Sequence, residues 1–489
     1  MIGDELKYRI RQSFGLVPTA EQEQAIRVFA DFMTDAGSRV CMVLRGSAGT
    51  GKTTLAGAIV RGLASLKQKM VLLAPTGRAA KVFSLNAGSP AYTIHRRIYR
   101  QRTAGDLSSF NLNVNLQRDT LYIIDEASMI ANQGYGDSMF GSGCLLDDLM
   151  EFVYGADNNC RMLLIGDRAQ LPPVGEEESP ALMTPVLRAY GMNVYEADLN
   201  TVLRQSQESG ILYNATRIRN LPIEGLAPII QFAGFDDIQM VPGDELIESL
   251  NTSYSRVGED ETIVITRSNK RANIYNKGIR STVLDCEDEL CRGDRLMIVK
   301  NNYSLPLSPS RRGGNEASPT GGGLEGGFIA NGDVAVVQRV RNIHEQHGFR
   351  FAEVTLHFPD YDNYELTATV LLDTLTSESP SLTREQQQQL YDRVMEDYAD
   401  IPLKSDRIKK LKADRYYNAL QVKFAYAVTC HKAQGGQWAH VYIDQGYMTD
   451  DMLTPEYYHW LYTAFTRATE RLMLVNWPKT QTLNSELET

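Results

Sequence analysis

The stretch from Val40 to Val60 constrains this chain more than any other. Val40-Cys41-Met42-Val43-Leu44 is an unbroken apolar run, of a length that suits a fully buried strand. Leu55-Ala56-Gly57-Ala58-Ile59-Val60 carries the apolar spacing of a helix. Between them, Gly46-Ser47-Ala48-Gly49-Thr50-Gly51-Lys52-Thr53-Thr54 fits G-x-x-x-x-G-K-[ST]. A strand, a glycine loop and a helix start together make an anion site. Glycines let backbone N–H groups turn inward, and the helix N-terminus adds positive potential. The pattern assigns residues 46–54 to a nucleotide's phosphates. Lys52 reaches the β- and γ-phosphates, and the Thr53 hydroxyl is placed for Mg²⁺.

Further strand-turn-helix units follow. Met70-Val71-Leu72-Leu73-Ala74 is a second buried strand, running into Pro75-Thr76-Gly77-Arg78 at a helix start. Thr76 and Arg78 therefore fall at the C-terminal edge of a parallel sheet, where open α/β sheets bind ligands. Leu121-Tyr122-Ile123-Ile124 ends on Asp125 and Glu126. Two carboxylates there accompany a phosphate loop, Asp125 for Mg²⁺ and Glu126 to polarise the attacking water. Residues 161–165 lead into Gly166-Asp167-Arg168-Ala169-Gln170, where Gln170 reaches the γ-phosphate or the water. Upstream, Ala25, Ile26, Phe29, Phe32 and Met33 form a helical stripe that begins near Thr19. Gln22 opens that helix, and its amide has the donor and acceptor to read adenine. A plain surface glutamine is the alternative.

The pattern of strand, polar turn and helix makes a doubly wound sheet through about residue 200. Within it, residues 105–115 are short, polar and partly alternating, with Phe110, Leu112, Val114 and Leu116 on one side, which suits a small β-hairpin. A second α/β set starts at residues 262–267. Short alternating strands at 295–300, 334–340, 349–358 and 365–372 then read as a small barrel. The Gly-rich residues 308–327 between its first two strands read as a flexible loop. Residues 383–398 form a polar helix with a capping box, Thr383 and Gln386. A strand over 422–428 resumes the α/β pattern, followed by Thr429-Cys430-His431-Lys432-Ala433-Gln434-Gly435. A last helix, with Thr454 as N-cap and Pro455 first, carries Tyr462 to Ala468. The expected fold is α/β, with a hairpin insertion at 96–118 in a first domain, 1–200. The second domain, 201–295 and 422–489, is interrupted by a barrel and helices over 296–421.

The chain has 489 residues, of which 43% are hydrophobic, enough for large cores. Apolar runs are too short to span a membrane, and the charged N-terminus is no signal peptide. The six cysteines form no C-x-x-C pair. Reduced thiols in a cytoplasmic protein are expected, without a metal cluster. The net charge of −10 argues against a general nucleic-acid binder but leaves room for a local basic groove. Arg96, Arg97, Arg100 and Arg102 form one basic cluster. Lys404, Arg407, Lys409, Lys410, Lys412 and Arg415 form another, read equally well as a solvated helix face.

In order along the chain, GSAGTGKT, APTGRAAK, TIHR, IIDEAS, GDRAQLPPV, LRQ, TCHKAQG and YTAFTRA resemble the motifs of superfamily 1 DNA helicases of the 5′-to-3′ group, the RecD-like and Dda-like proteins. The resemblance implies two RecA-like parallel-sheet domains with ATP and Mg²⁺ between them, a strand-separating hairpin in the first and an SH3-like barrel in the second. It implies that Arg204 and Arg467 meet the γ-phosphate from the second domain. It also implies that Thr76, Arg78, Thr93, His95, Thr429 and His431 face single-stranded DNA, with Phe110 at the duplex fork. Partners by the same reasoning are single-stranded DNA, forks, and repair or replication proteins, with the chain a monomer on DNA and no membrane. Two other readings stay open: a kinase with a phosphate loop, and a non-catalytic DNA-binding subunit of a nuclease complex.

Overall fold

The computed structural model describes residues 2–101, 110–134, 141–156, 158–202, 208–221, 226–300, 302, 329, 331–361 and 363–483. Its apolar runs become strands buried on both faces, as parallel sheets require. The first eight are β1 (Val40–Gly46), β2 (Met70–Ala74), β3 (Ala91–Thr93), β4 (Tyr99–Gln101), β5 (Phe110–Leu112), β6 (Leu121–Ile124), β7 (Arg161–Gly166) and β8 (Asn193–Leu199). Six form one sheet in the order β3-β2-β6-β7-β1-β8. β1 pairs in parallel with β7 and β8, and β6 in parallel with β2 and β7. This order puts the phosphate loop, at the carboxyl end of β1, beside the ends of β7 and β8. Val40 to Leu44 are fully buried, and Val40, Met42 and Leu44 pack with Ile26, Phe29 and Phe32 of the helix Ala20–Thr34 and Leu55, Ile59 and Leu63 of the helix Lys52–Ser65. Each such side chain contributes roughly 1.5–3 kcal/mol by leaving water.

The remaining strands are β9 (Ile238–Val241), β10 (Thr262–Thr266), β11 (Arg295–Ile298), β12 (Val334–Gln346), β13 (Phe349–Phe358), β14 (Tyr364–Leu371), β15 (Leu420–Phe424), β16 (Ala427–Thr429), β17 (Trp438–Asp444) and β18 (Ala468–Val475). A second sheet has the order β16-β10-β17-β18-β9, with β17 parallel to β10 and β18, and β18 parallel to β9. β11 to β15 close a barrel. The architecture is thus two RecA-like parallel sheets and a five-stranded barrel. By contact density the chain divides into two units. One holds both parallel sheets, over Met1–Ile98, Leu112–Arg267 and Val428–Thr489; the other holds the barrel and the small hairpin strands, over Tyr99–Asn111 and Ser268–Ala427.

In the barrel, Phe351, Val354, Leu356 and Phe358 of β13 are fully buried. Outside it, Leu390 and Val394 of the helix Arg384–Glu396 and Leu411 of the helix Lys404–Ala413 pack with Phe349, Phe351 and Leu371. The expected capping box is present: Thr383 accepts from the Gln386 N–H, and the Gln386 side chain accepts from the Thr383 N–H. Lys404, Lys409 and Lys410 of the second basic cluster are exposed on the Lys404–Ala413 helix.

Three expectations need correction. Residues 422–428 are not one strand. β15 ends at Phe424 and pairs with β11 in the barrel, while β16 begins at Ala427. The Asn276 amide takes both backbone groups of Ala427, each at 2.8 Å, and so ends the ladder there. An unbroken apolar run carries no sign of that distant amide. The hairpin is formed by β4 and β5 rather than by an alternating run to Leu116, and Val114 and Leu116 are exposed. Its connecting residues 102–109 and the side chain of Phe110 lie outside the described residues, as does the Gly-rich stretch 308–327. Lastly, Cys286 and Cys291 form a disulfide, whereas Cys41, Cys144, Cys160 and Cys430 are buried free thiols. A turn folded on Arg280, whose guanidinium reaches both sulfurs and the Asp294 carboxylate, brings the pair together. Their separation of five residues matched no motif.

Candidate functional site

The phosphate loop is built as the residue pattern requires. Gly49 and Gly51 take φ of +76° and +81°, values that L side chains rarely adopt. Gly51 precedes the helix that starts at Lys52. The buried Thr50 hydroxyl donates to Ser47 O at 2.8 Å, closing the loop on itself. Lys52 Nζ donates to the carbonyls of Gly46 and Ser47 and lies 3.9 Å from Asp167 Oδ2. Thr53 and Thr54 are exposed in the first helical turn. Beneath the loop, Arg45 bonds Glu196 at 2.6 Å and Asp198 at 2.7 Å, tying the ends of β1 and β8 together. Gln22 is buried. Its amide oxygen accepts from Thr19 N at 2.9 Å, and its nitrogen donates to Thr50 O at 3.1 Å. In this conformation the Gln22 amide caps its own helix and holds the loop.

Asp125 and Glu126 follow β6. Burial first, and the Glu126 charge second, push the Asp125 carboxyl above its ordinary range; Lys52 opposes them. Glu126 has φ of +53°, a left-handed conformation that costs a non-glycine residue of order 1 kcal/mol or more. Gln170 is buried after β7. With its amide oriented to satisfy both ends, the nitrogen donates to Glu126 Oε2 at 3.3 Å and the oxygen accepts from Arg467 Nη2 at 3.1 Å. Arg467, just before β18, is itself buried, with Nε donating to Thr463 O and Nη1 to Gly436 O, both at 3.1 Å. Glu126, Gln170 and Arg467 therefore form one hydrogen-bonded line between the two sheets. Arg204 lies outside the described residues.

The motifs gave no role to the residues that hold this line. The helix Pro455–Phe465 grips the turn after β7 at three points. Tyr462 Oη donates to Asp167 Oδ2 at 2.6 Å, His459 Nδ1 donates to Ala169 O at 2.8 Å, and Thr463 Oγ1 accepts from Leu171 N at 2.8 Å. Gln434 adds a bond to Leu171 O at 2.6 Å. Tyr462 Oη also accepts from Ala48 N in the phosphate loop at 2.9 Å. Burial, and then the Asp167 charge, hold the Tyr462 phenol far above its usual range, so it remains a donor. The repeated polar side chains of YTAFTRA were the available signal.

The residues expected to face nucleic acid stand at sheet edges. Thr76 follows β2, Thr93 ends β3, and Thr429 ends β16. The Thr76 hydroxyl accepts from Ala79 N at 3.2 Å, and that of Thr93 from Arg96 N at 3.3 Å, so both cap helices. Gly435, with φ of +76°, brings the turn after Thr429 against Thr76; a Cβ there would lie 3.2 Å from Thr76 Oγ1. Arg78 donates to Gln437 O at 2.7 Å, and its guanidinium lies 4.2 Å from the Trp438 ring centre. His95 is half-buried in the short helix Ile94–Ile98. Burial pushes its imidazole down to about 4, against the opposing charge of Asp148, so it is neutral at pH 7. Burial also lowers His431, with Glu456 opposing. Among the described residues, no helix is long and apolar enough to cross a membrane.

Residues 18–221 match a protein family described as an AAA domain, and residues 424–475 match the UvrD-like helicase C-terminal domain. The ATP-dependent RecD2 DNA helicase of Deinococcus radiodurans is 32% identical over 139 residues, 28% of this chain and 17% of that protein. The ATP-dependent DNA helicase dda of enterobacteria phage T4 is 24% identical over 275 residues, 53% of this chain and 56% of that protein. The chain thus spans about half the length of the phage relative and a smaller part of the Deinococcus one. Pif1 of Bacteroides bound to single-stranded DNA aligns over 96% of this chain and 95% of its own, at 16% identity and a TM-score of 0.47. The resemblance of the motifs to the RecD-like and Dda-like group of superfamily 1 is borne out by these sequence matches.

Proposed function

We propose that this chain is an ATP-driven helicase that moves 5′ to 3′ along single-stranded DNA and opens duplex forks. The observation that carries the reading is the bonded line Glu126, Gln170, Arg467, which joins the nucleotide side of one parallel sheet to the second sheet. A kinase has no use for an arginine delivered by a second sheet. An inactive DNA-binding subunit has no use for Lys52, Asp125 and Glu126 kept together.

The residues divide the work. The N–H groups of residues 46–54 and the Lys52 ammonium hold the phosphates. The Thr53 hydroxyl and the Asp125 carboxylate, both hard oxygen donors, fit Mg²⁺, which when bound neutralises phosphate charge. Glu126 takes the proton of the attacking water, Gln170 orients that water, and the Arg467 guanidinium balances charge on the transferring phosphoryl group. Arg204 shares that role by resemblance. Gln22 leaves its cap bonds to meet adenine. Hydrolysis then changes the hold between the sheets, because Arg467 and the turn after β7 are bonded to the same helix.

Thr76, Arg78, Thr93, Thr429 and His431 meet the DNA at the sheet edges, mostly through phosphate and sugar, so sequence preference is small. His95 joins them as a neutral hydrogen-bonding group, and Phe110 wedges the fork. Work in the cytoplasm, as a monomer on DNA and beside repair or replication proteins, rests on the resemblance alone. The test is a set of labelled duplexes with a 5′ tail, a 3′ tail or none. Unwinding is expected from the 5′ tail only. Unwinding from the 3′ tail alone overturns the direction, and strand separation that ignores tails overturns the tracking reading.

A further inference from the structure

Tyr462 Oη sits where two features of the phosphate site meet. It accepts from the Ala48 N–H at 2.9 Å and donates to Asp167 Oδ2 at 2.6 Å. The same carboxylate oxygen lies 3.9 Å from Lys52 Nζ. Lys52 is the cation for the β- and γ-phosphates. One carboxylate oxygen therefore separates the tyrosine hydroxyl from the ammonium that binds the outer phosphates.

We propose that Tyr462 is the residue by which this site tells a nucleoside triphosphate from a diphosphate, its hydroxyl competing with a terminal phosphate oxygen for the Ala48 N–H. This rests on the nucleotide reading above. One N–H makes one strong linear bond, so the hydroxyl and a phosphate oxygen exclude each other there. Asp167 adds to the competition, since its charge repels an incoming phosphate and is held in place by the Tyr462 hydroxyl. A triphosphate arriving at Lys52 displaces Tyr462 and Asp167 together. A diphosphate, lacking the outermost group, leaves them in place.

The displacement has a direct mechanical consequence. Tyr462 shares its helix with Thr463, which accepts from Leu171 N, and that helix leads into Arg467, bonded to Gln170. Loss of the tyrosine bond loosens the helix from the phosphate loop when the triphosphate is present. Tyr462 is thus a specificity-determining residue that acts before chemistry.

The test compares full-length wild type with Tyr462→Phe, which keeps the buried ring and removes the hydroxyl. Equilibrium binding of ADP and of a non-hydrolysable ATP analogue, each with Mg²⁺, is measured for both. Tyr462→Phe should bind the triphosphate analogue roughly three- to ten-fold more tightly, the worth of one hydrogen bond, and ADP less than about two-fold differently. Triphosphate binding that is unchanged or weaker overturns the proposal. Hydrogen exchange of wild type needs no variant. The amides of residues 455–465 should exchange faster with the triphosphate analogue than with ADP, and equal exchange overturns the proposal. Wild type that binds neither nucleotide overturns the nucleotide reading itself, an outcome distinct from a Tyr462→Phe protein that binds both as wild type does.

Discussion

Glu126→Gln should keep nucleotide affinity close to wild type and lower ATP turnover by roughly 10²–10⁴-fold, the range of a lost general base. Glutamine matches glutamate in shape, and its amide still bonds the Gln170 side chain, which faces Glu126 at 3.3 Å. What it cannot do is take up a proton. Glu126 is also held at φ of +53° whichever side chain it bears, so the backbone cost is common to both forms. Binding measured with a fluorescent nucleotide and turnover measured by phosphate release separate the two effects. Turnover near the wild-type rate would remove Glu126 from the chemical step.

Arg467→Ala should reduce turnover by about 10³-fold or more, as expected of an arginine that meets the γ-phosphate, with ATP affinity changed far less. The side chain is buried and also bonds Thr463 O and Gly436 O, so a loss of stability is expected alongside. Arg467→Lys distinguishes the two causes. It keeps the charge and most of the packing but loses the planar fork, and should remain well below wild type in turnover with its melting temperature largely restored. A lysine variant as active as wild type would show that only charge is needed. Normal turnover in Arg467→Ala would mean that the arginine is structural.

The parts of this site that could be read in the sequence are those whose chemistry is local. A glycine loop, a strand ending on two carboxylates and a polar turn with Gln170 each announce themselves within ten residues. The strands β1, β2 and β6 were legible because burial on both faces leaves an unbroken apolar run. What stayed hidden depends on residues far apart in the chain. The bond from Ala48 to Tyr462 joins positions 414 apart, and no local pattern marks it. The break between β15 and β16 is made by Asn276, 151 positions from the Ala427 that it bonds. The setting of His95 is likewise made by the fold: its neighbours in sequence are arginines, while the charge that it meets is that of Asp148.

Under the proposed function the bonds between the two parallel sheets are responsive: DNA at Thr76, Thr429 and their neighbours changes the alignment of Arg467 and Glu126. The most direct measurement is the steady-state rate of ATP hydrolysis by the full chain, with and without saturating single-stranded DNA of mixed sequence. A low basal rate that rises many-fold with DNA is expected, and Glu126→Gln should abolish the rise. A rate that is the same with and without DNA would contradict the proposed function.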